Sequence, residues 1–148
     1  MISTSAGIFI NAPQQKIFNI AADGHQQMAW DSGNFTHFEM LSPPPVQKGT
    51  KCQCRVKGMG KMTYEFAEYK PYSVFVHTSV TRMAYGTHYF SFEEKDAGTM
   101  FLQKMELRLR GIFILLTPFI KPSLTKTLNN MNKELKNYCE SQNPDTGH

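Results

Sequence analysis

The stretch "LTKTLNNMNKELKNY" (residues 124–138) decides the fold. Leu124, Leu128, Met131, Leu135 and Tyr138 recur at intervals of four, three, four and three. That spacing is one face of an α-helix, and Lys126, Asn130, Lys133, Glu134 and Asn137 fall off it. Burying such a stripe contributes about 1.5–3 kcal/mol per large side chain, so the helix needs an apolar surface to cover. The rest of the chain must supply that surface.

Upstream the hydrophobic period changes from helical to two. Cys52, Cys54 and Val56 alternate with Lys51, Gln53 and Arg55. Met62, Tyr64 and Phe66 alternate with Thr63 and Glu65, and Phe101, Gln103, Met105, Leu107 and Leu109 with Lys104, Glu106 and Arg108. Phe35, His37, Glu39 and Leu41 are expected opposite Thr36, Phe38 and Met40. "VFVHTSVT" and "HYFSFEE" supply two more strands, and "KGMGK", "KPYS", "MAYGT" and "KDAGT" read as the turns between them. Such a series is an antiparallel meander with one apolar face.

The N-terminal region adds one strand and two short helices. Ile2–Ile10 reads as a strand. Pro13 suits a first helical turn, where its missing N–H has no intrahelical use, and Asn11 is the expected cap. The first helix should reach Ala22, and a second should run from about His25 to Trp30. The expected fold class is α+β: a curved antiparallel sheet of about seven strands wrapped around a long C-terminal helix. One domain covers 1–148, with a core over 2–140 and a tail over 141–148. Helix and sheet should enclose a space lined by aromatic and methionine side chains.

Composition narrows the function classes. The 148 residues are 41% hydrophobic and 19% charged, with eleven Phe, six Tyr, one Trp and nine Met. A net charge of +4 without a dense Lys/Arg block argues against a nucleic-acid partner. The odd cysteine count, three, and the absence of a basic leader point to a reducing compartment, hence the cytoplasm. The most apolar run, "GIFILLTPFI" (111–120), is about half a membrane span and contains Pro118, so no integral membrane association is expected. Pro118 and Pro122 either start the long helix or kink a longer one.

These pieces, in their order and spacing, resemble the START-like (SRPBCC) helix-grip superfamily. That superfamily includes polyketide cyclases/dehydrases, pollen-allergen-like proteins and lipid-transport domains. The matching segments are "INAPQQKIF" (10–18), Trp30, "VQKGT" (46–50), "YKPYSVFV" (69–76), "FSFEEKDAGT" (90–99) and "LNNMNKELKNYCE" (128–140). The resemblance implies a deep apolar cavity between sheet and long helix, used for hydrophobic ligands and, in some branches, for ring closure or dehydration. The expected lining is Trp30, Cys54, Tyr64, Phe66, Phe90, Gln103, Met105, Phe113, Leu116, Phe119, Leu128 and Met131.

No complete catalytic set stands out. His77 and His88 flank one hairpin turn and are candidates for acid–base chemistry if they face the cavity, or surface residues if they do not. Cys52 and Cys54 share a strand face, but no neighbouring ligand pair completes a metal site, and small apolar wall residues are the simpler reading. No cofactor and no metal are expected. Arg55, Arg82, Arg108 and Arg110 fall on outward faces or turns.

Three functions follow: a carrier or sensor of a hydrophobic lipid, polyketide or aromatic molecule; a cyclase or dehydratase; and a protein-interaction module acting through 112–120. The run 111–120 is either buried or a lip of the cavity that makes transient contact with a membrane or partner. Lys121 and Lys126 beside it suit an anionic surface.

Overall fold

A computed structural model describes residues 1–142. The tail expected over 141–148 therefore lies, from 143 onward, outside the described residues. Seven antiparallel strands form one sheet in the order β1-β7-β6-β5-β4-β3-β2. The strands are β1 (Ile2–Ile10), β2 (Phe35–Met40), β3 (Lys51–Val56), β4 (Gly60–Lys70), β5 (Val74–Val80), β6 (Ala84–Lys95) and β7 (Gly98–Leu109). β1 and β2 follow one another in the chain yet form the two opposite edges. The helices α1 (Gln14–Ala22) and α2 (Gly24–Trp30) make that crossing. A 3-10 turn (Gly111–Leu116) then leads into α3 (Thr117–Ser141).

The register follows from which residues need burial. β7 turns Phe101, Gln103, Leu107 and Leu109 inward and exposes Leu102, Lys104 and Arg108. Its neighbours bring Ala6 opposite Gln103 from β1, and Phe90 opposite Gln103 from β6. α3 buries Leu128, Met131, Asn132, Leu135 and Cys139 against this face. The stripe is rotated slightly from the expected one, since Cys139 is buried where Tyr138 is only half-buried.

Two local expectations are corrected. Strict alternation fails in β2, because pairing with β3 shifts register between Thr36 and Glu39 and His37 takes a positive φ of 54°. The extra residue puts Phe35, Phe38 and Met40 into the core together. Asn11 does not cap α1. Pro13 is the residue before the helix and makes no side-chain cap, while the Asn11 N–H donates to Glu140 Oε2 at 2.8 Å. α2 does have a side-chain cap, with Asp23 Oδ1 accepting from the His25 N–H at 2.9 Å.

The junction after β1 is instead tied to the end of α3. Lys136 Nζ donates to Phe9 O at 2.9 Å and to Glu140 Oε2 at 2.7 Å, and Glu140 receives Asn11. Thr99 Oγ1 donates to Ala12 O from β7 at 2.9 Å. β1, β7 and α3 are thereby locked together where α1 begins.

Candidate functional site

The space between sheet and α3 is filled at one end and hollow at the other. Under α1, Phe18 meets Tyr69, Phe75 and Phe92 edge-on, with ring centroids 5.1–5.5 Å apart. Phe66 and Phe101 join the same aromatic cluster. Edge and offset contacts of this kind are the arrangements aromatic rings prefer. Away from α1, under the first turns of α3, no comparable side chains fill the gap. A cavity of about 260 Å³ remains there.

Its floor is Met62 and Tyr64 on β4, His77 and Ser79 on β5, His88 and Phe90 on β6, and Met105 and Leu107 on β7. Its roof is Ile120, Ser123, Leu124, Thr127, Leu128 and Met131 on α3. Gln27, Asn34 and Phe35 close one side, and Val56, Lys57, Gly58 and Met59 of the β3–β4 turn another. An outer groove of about 550 Å³ shares Asn34, Lys57, Ser123, Thr127 and Met131 with the cavity, so these residues form its mouth.

His77 and His88 are directly opposite one another on β5 and β6. Both are buried, and both line the cavity. His88 Nε2 lies 2.7 Å from Gln103 Oε1. The Gln103 amide nitrogen donates to Asn132 Oδ1 at 2.6 Å and Leu128 O at 3.3 Å. With both amide hydrogens used, Oε1 must accept, so this network assigns the proton of neutral His88 to Nε2. The other ring nitrogen, Nδ1, then carries a lone pair. His77 Nε2 has no hydrogen-bond partner among the described residues, and neither has Asn132 Nδ2.

Burial sets the charge state of the pair. It lowers His88 to about 4, against a smaller upward push from the Gln103 hydrogen bond. Burial, and then the neighbouring His88, hold His77 well below the ordinary imidazole value. Both rings are neutral at pH 7. Tyr64 stacks 4.4 Å from His77 at a tilt, and burial raises its hydroxyl far above the usual range. The floor of the cavity therefore presents neutral hydrogen-bonding groups among apolar side chains, with Lys57 at the mouth.

The expected lining residues divide between the two ends. Tyr64, Phe90, Met105, Leu128 and Met131 line the cavity, together with His77 and His88. Gln103 stands behind His88. Phe66 belongs to the aromatic cluster, and Trp30 and Cys54 are buried in the core around it. Phe113 is half-buried against a small outlying cluster of Ile2, Ala84, Leu107 and Leu109. Leu116 and Phe119 are exposed: the helical period that turns Ile120 and Leu124 inward carries Phe119 to the outside, and Leu116 belongs to the 3-10 turn, outside that period. The cysteines are free and buried, and burial pushes Cys54 up to about 12. Among the described residues no three His, Cys, Asp or Glu side chains come together to hold a metal ion.

Sequence reasoning missed Asn132 and Asp31. Asn132 lies four residues after Leu128 on the buried helix face, a spacing that signals its burial. Asp31 is buried beside the mouth and accepts from Gln27 Nε2 at 3.2 Å and Asn34 Nδ2 at 3.3 Å. Burial raises its carboxyl to about 6, against those hydrogen bonds and with a smaller push from Glu134.

Residues 1–140 match the family described as polyketide cyclase / dehydrase and lipid transport, and the chain belongs to that family. The fold is shared with the Zhui aromatase/cyclase from Streptomyces sp. R1128, at 12% identity and a TM-score of 0.82 over 98% of this chain and 97% of that one. It is shared with TTHA0849 from Thermus thermophilus, at 15% identity and a TM-score of 0.76 over 95% and 98%. The di-domain ARO/CYC BexL of the BE-7585A biosynthetic pathway matches at 14% identity and a TM-score of 0.70, over 94% of this chain and 50% of that one. No protein of curated function matches the sequence. Among the described residues no helix is long and apolar enough to cross a membrane.

Proposed function

We propose that the protein binds a small, ring-bearing hydrophobic molecule in the cavity under α3, as carrier or sensor. The observation that carries this reading is the buried, neutral His77–His88 pair set in a mostly apolar cavity wall. Such a wall holds the ligand by desolvation, and a few fixed polar groups orient it. His88 Nδ1 would accept from a ligand hydroxyl. A polar group reaching His77 would relieve an unpaired nitrogen, a deficit worth about 1–3 kcal/mol. The volume of about 260 Å³ lies just under the usual range for small-molecule sites, so one or two rings fit inside and a longer tail leaves by the mouth.

The second reading is ring closure or dehydration, favoured by the convergence of His77, His88 and Tyr64 on one cavity. His88 would take a proton from a carbon between two carbonyls, that carbon would attack a further carbonyl, the proton would return to the new alkoxide, and the remaining hydrogen of that carbon would then leave with the new hydroxyl as water. Base strength argues for the first reading. A general base works best with a pKa near the working pH, and His88 at about 4 is a weak base.

Native mass spectrometry of the purified protein, with titration by the fluorophore 8-anilinonaphthalene-1-sulfonate, tests the proposal. The expected result is a retained or titratable ligand at one site. Leu124→Trp, which fills the cavity from its half-buried roof, should abolish binding while circular dichroism stays unchanged. Fluorophore binding that survives Leu124→Trp would place the ligand elsewhere. Turnover of a poly-β-ketone analogue, lost in His88→Gln, would favour the second reading.

A further inference from the structure

The largest concentration of exposed apolar surface is at the start of α3. Ile112, Leu115 and Phe119 are 75%, 74% and 71% exposed, and Ile114 and Leu116 are exposed beside them. These side chains project from the 3-10 turn and the first turn of α3. Contiguous exposed apolar groups of this size mark a docking surface.

The charge around them selects the partner. From residue 107 to residue 133 there is no Asp or Glu, while Arg108, Arg110, Lys121, Lys126 and Lys133 are present. Met59 of the β3–β4 turn packs on the same small cluster as Phe113 and Ile120 at the base of the tip, and the turn carries the exposed Lys57. Among the described residues, Lys57, Lys121 and Lys126 take part in no ion pair. Arg110 is otherwise engaged, donating to Thr81 O at 2.8 Å and lying over Tyr85. The nearest acids at the mouth are Glu134 and the buried Asp31.

We infer that this tip docks on an anionic lipid bilayer, with its apolar side chains among the acyl chains and its lysines at the headgroups. An apolar crown with a basic collar is the arrangement interfacial segments use. A second copy meeting the same tip would bring the two lysine collars together, which opposes self-association there. The cavity opens next to the tip, since Lys57 and Ser123 belong to its mouth and Ile120 and Leu124 to its roof. Docking would set the mouth against the membrane.

The test is co-sedimentation of the full chain with vesicles of phosphatidylcholine alone and of phosphatidylcholine mixed with phosphatidylglycerol. The protein should pellet with the mixed vesicles, less so as salt rises. Leu115→Glu and Phe119→Glu should abolish pelleting, and Lys121→Glu with Lys126→Glu should weaken it by about thirtyfold or more. All these residues are exposed, so thermal unfolding and fluorophore binding should stay at the unmodified level, which separates this outcome from any failure of the cavity reading. Failure to pellet with either vesicle, or pelleting unchanged in the Glu variants, would overturn the inference. So would a dimer in light scattering that Phe119→Glu makes monomeric.

Discussion

Gln103 has no exposed surface, and its hydrogen bonds to His88, Asn132 and Leu128 join β7 to α3. Gln103→Leu would strand buried partners on both elements. We expect a loss of about 3 kcal/mol or more in urea unfolding. Gln103→Glu would put a carboxylate beside His88, and imidazole NMR titration should show its pKa move from about 4 toward or above 6.5. The buried titrating groups also set the pH response of stability. His88 binds its proton near 4 when folded and near 6.5 when unfolded, so stability falls as pH drops through that window. His77 is shifted the same way. Asp31 has the opposite sign. Its folded value of about 6 stands above the ordinary 3.8, so its contribution is complete below 3.8 and is lost as pH rises through 6. Between pH 4 and 6 Asp31 therefore offsets one of the two histidines. Asp31→Asn should steepen the rise of stability with pH by about 1.4 kcal/mol per unit there, read from urea midpoints across pH.

At the level of elements, "INAPQQKIF" raised the question of what so abrupt a strand-to-helix junction serves. It serves the Asn11–Glu140–Lys136 clasp. Desolvation pushes Glu140 up, but the Lys136 and Asn11 hydrogen bonds and the Lys136 charge together outweigh it and hold the carboxyl below its ordinary value. Pro13→Ala should leave fluorophore binding unchanged and shift unfolding by about 1 kcal/mol at most. α3 is fastened unevenly. Its fully buried residues begin only at Leu128, and Pro122 removes one backbone donor from the turns before it. Hydrogen exchange should protect the amides of 128–139 strongly and those of 119–127 weakly, with ligand raising protection in the second group. Most of this architecture was legible in the sequence, because strand alternation and the α3 stripe are periodic. The β2 bulge was not. His37 takes its positive φ without a glycine to announce it, and one extra residue reverses every inward assignment after it.

For the molecule as a whole, the sequence indicated which face of the sheet turns inward but not where that interior is solid. Phe66 and Phe90 both turn inward, on β4 and β6. One ends in the packed cluster and the other at the cavity, because Phe18 of α1, remote in sequence, fills only one end. The outward placing of Leu116 and Phe119 likewise depends on where the 3-10 turn gives way to α3, a boundary that hydrophobicity does not mark. Phe90 is the partition between the two ends. Its ring stacks on Phe75 at 4.4 Å on the packed side and on His88 at 3.9 Å on the hollow side. Phe90→Ala should cost about 3–5 kcal/mol in stability and admit a fluorophore one ring larger, seen as a change in which of two graded probes binds more tightly. One side chain thus works as the end-stop of a gauge. A lineage could recalibrate the length of molecule it accepts by trading that residue, leaving strands, clasp and docking tip as they are.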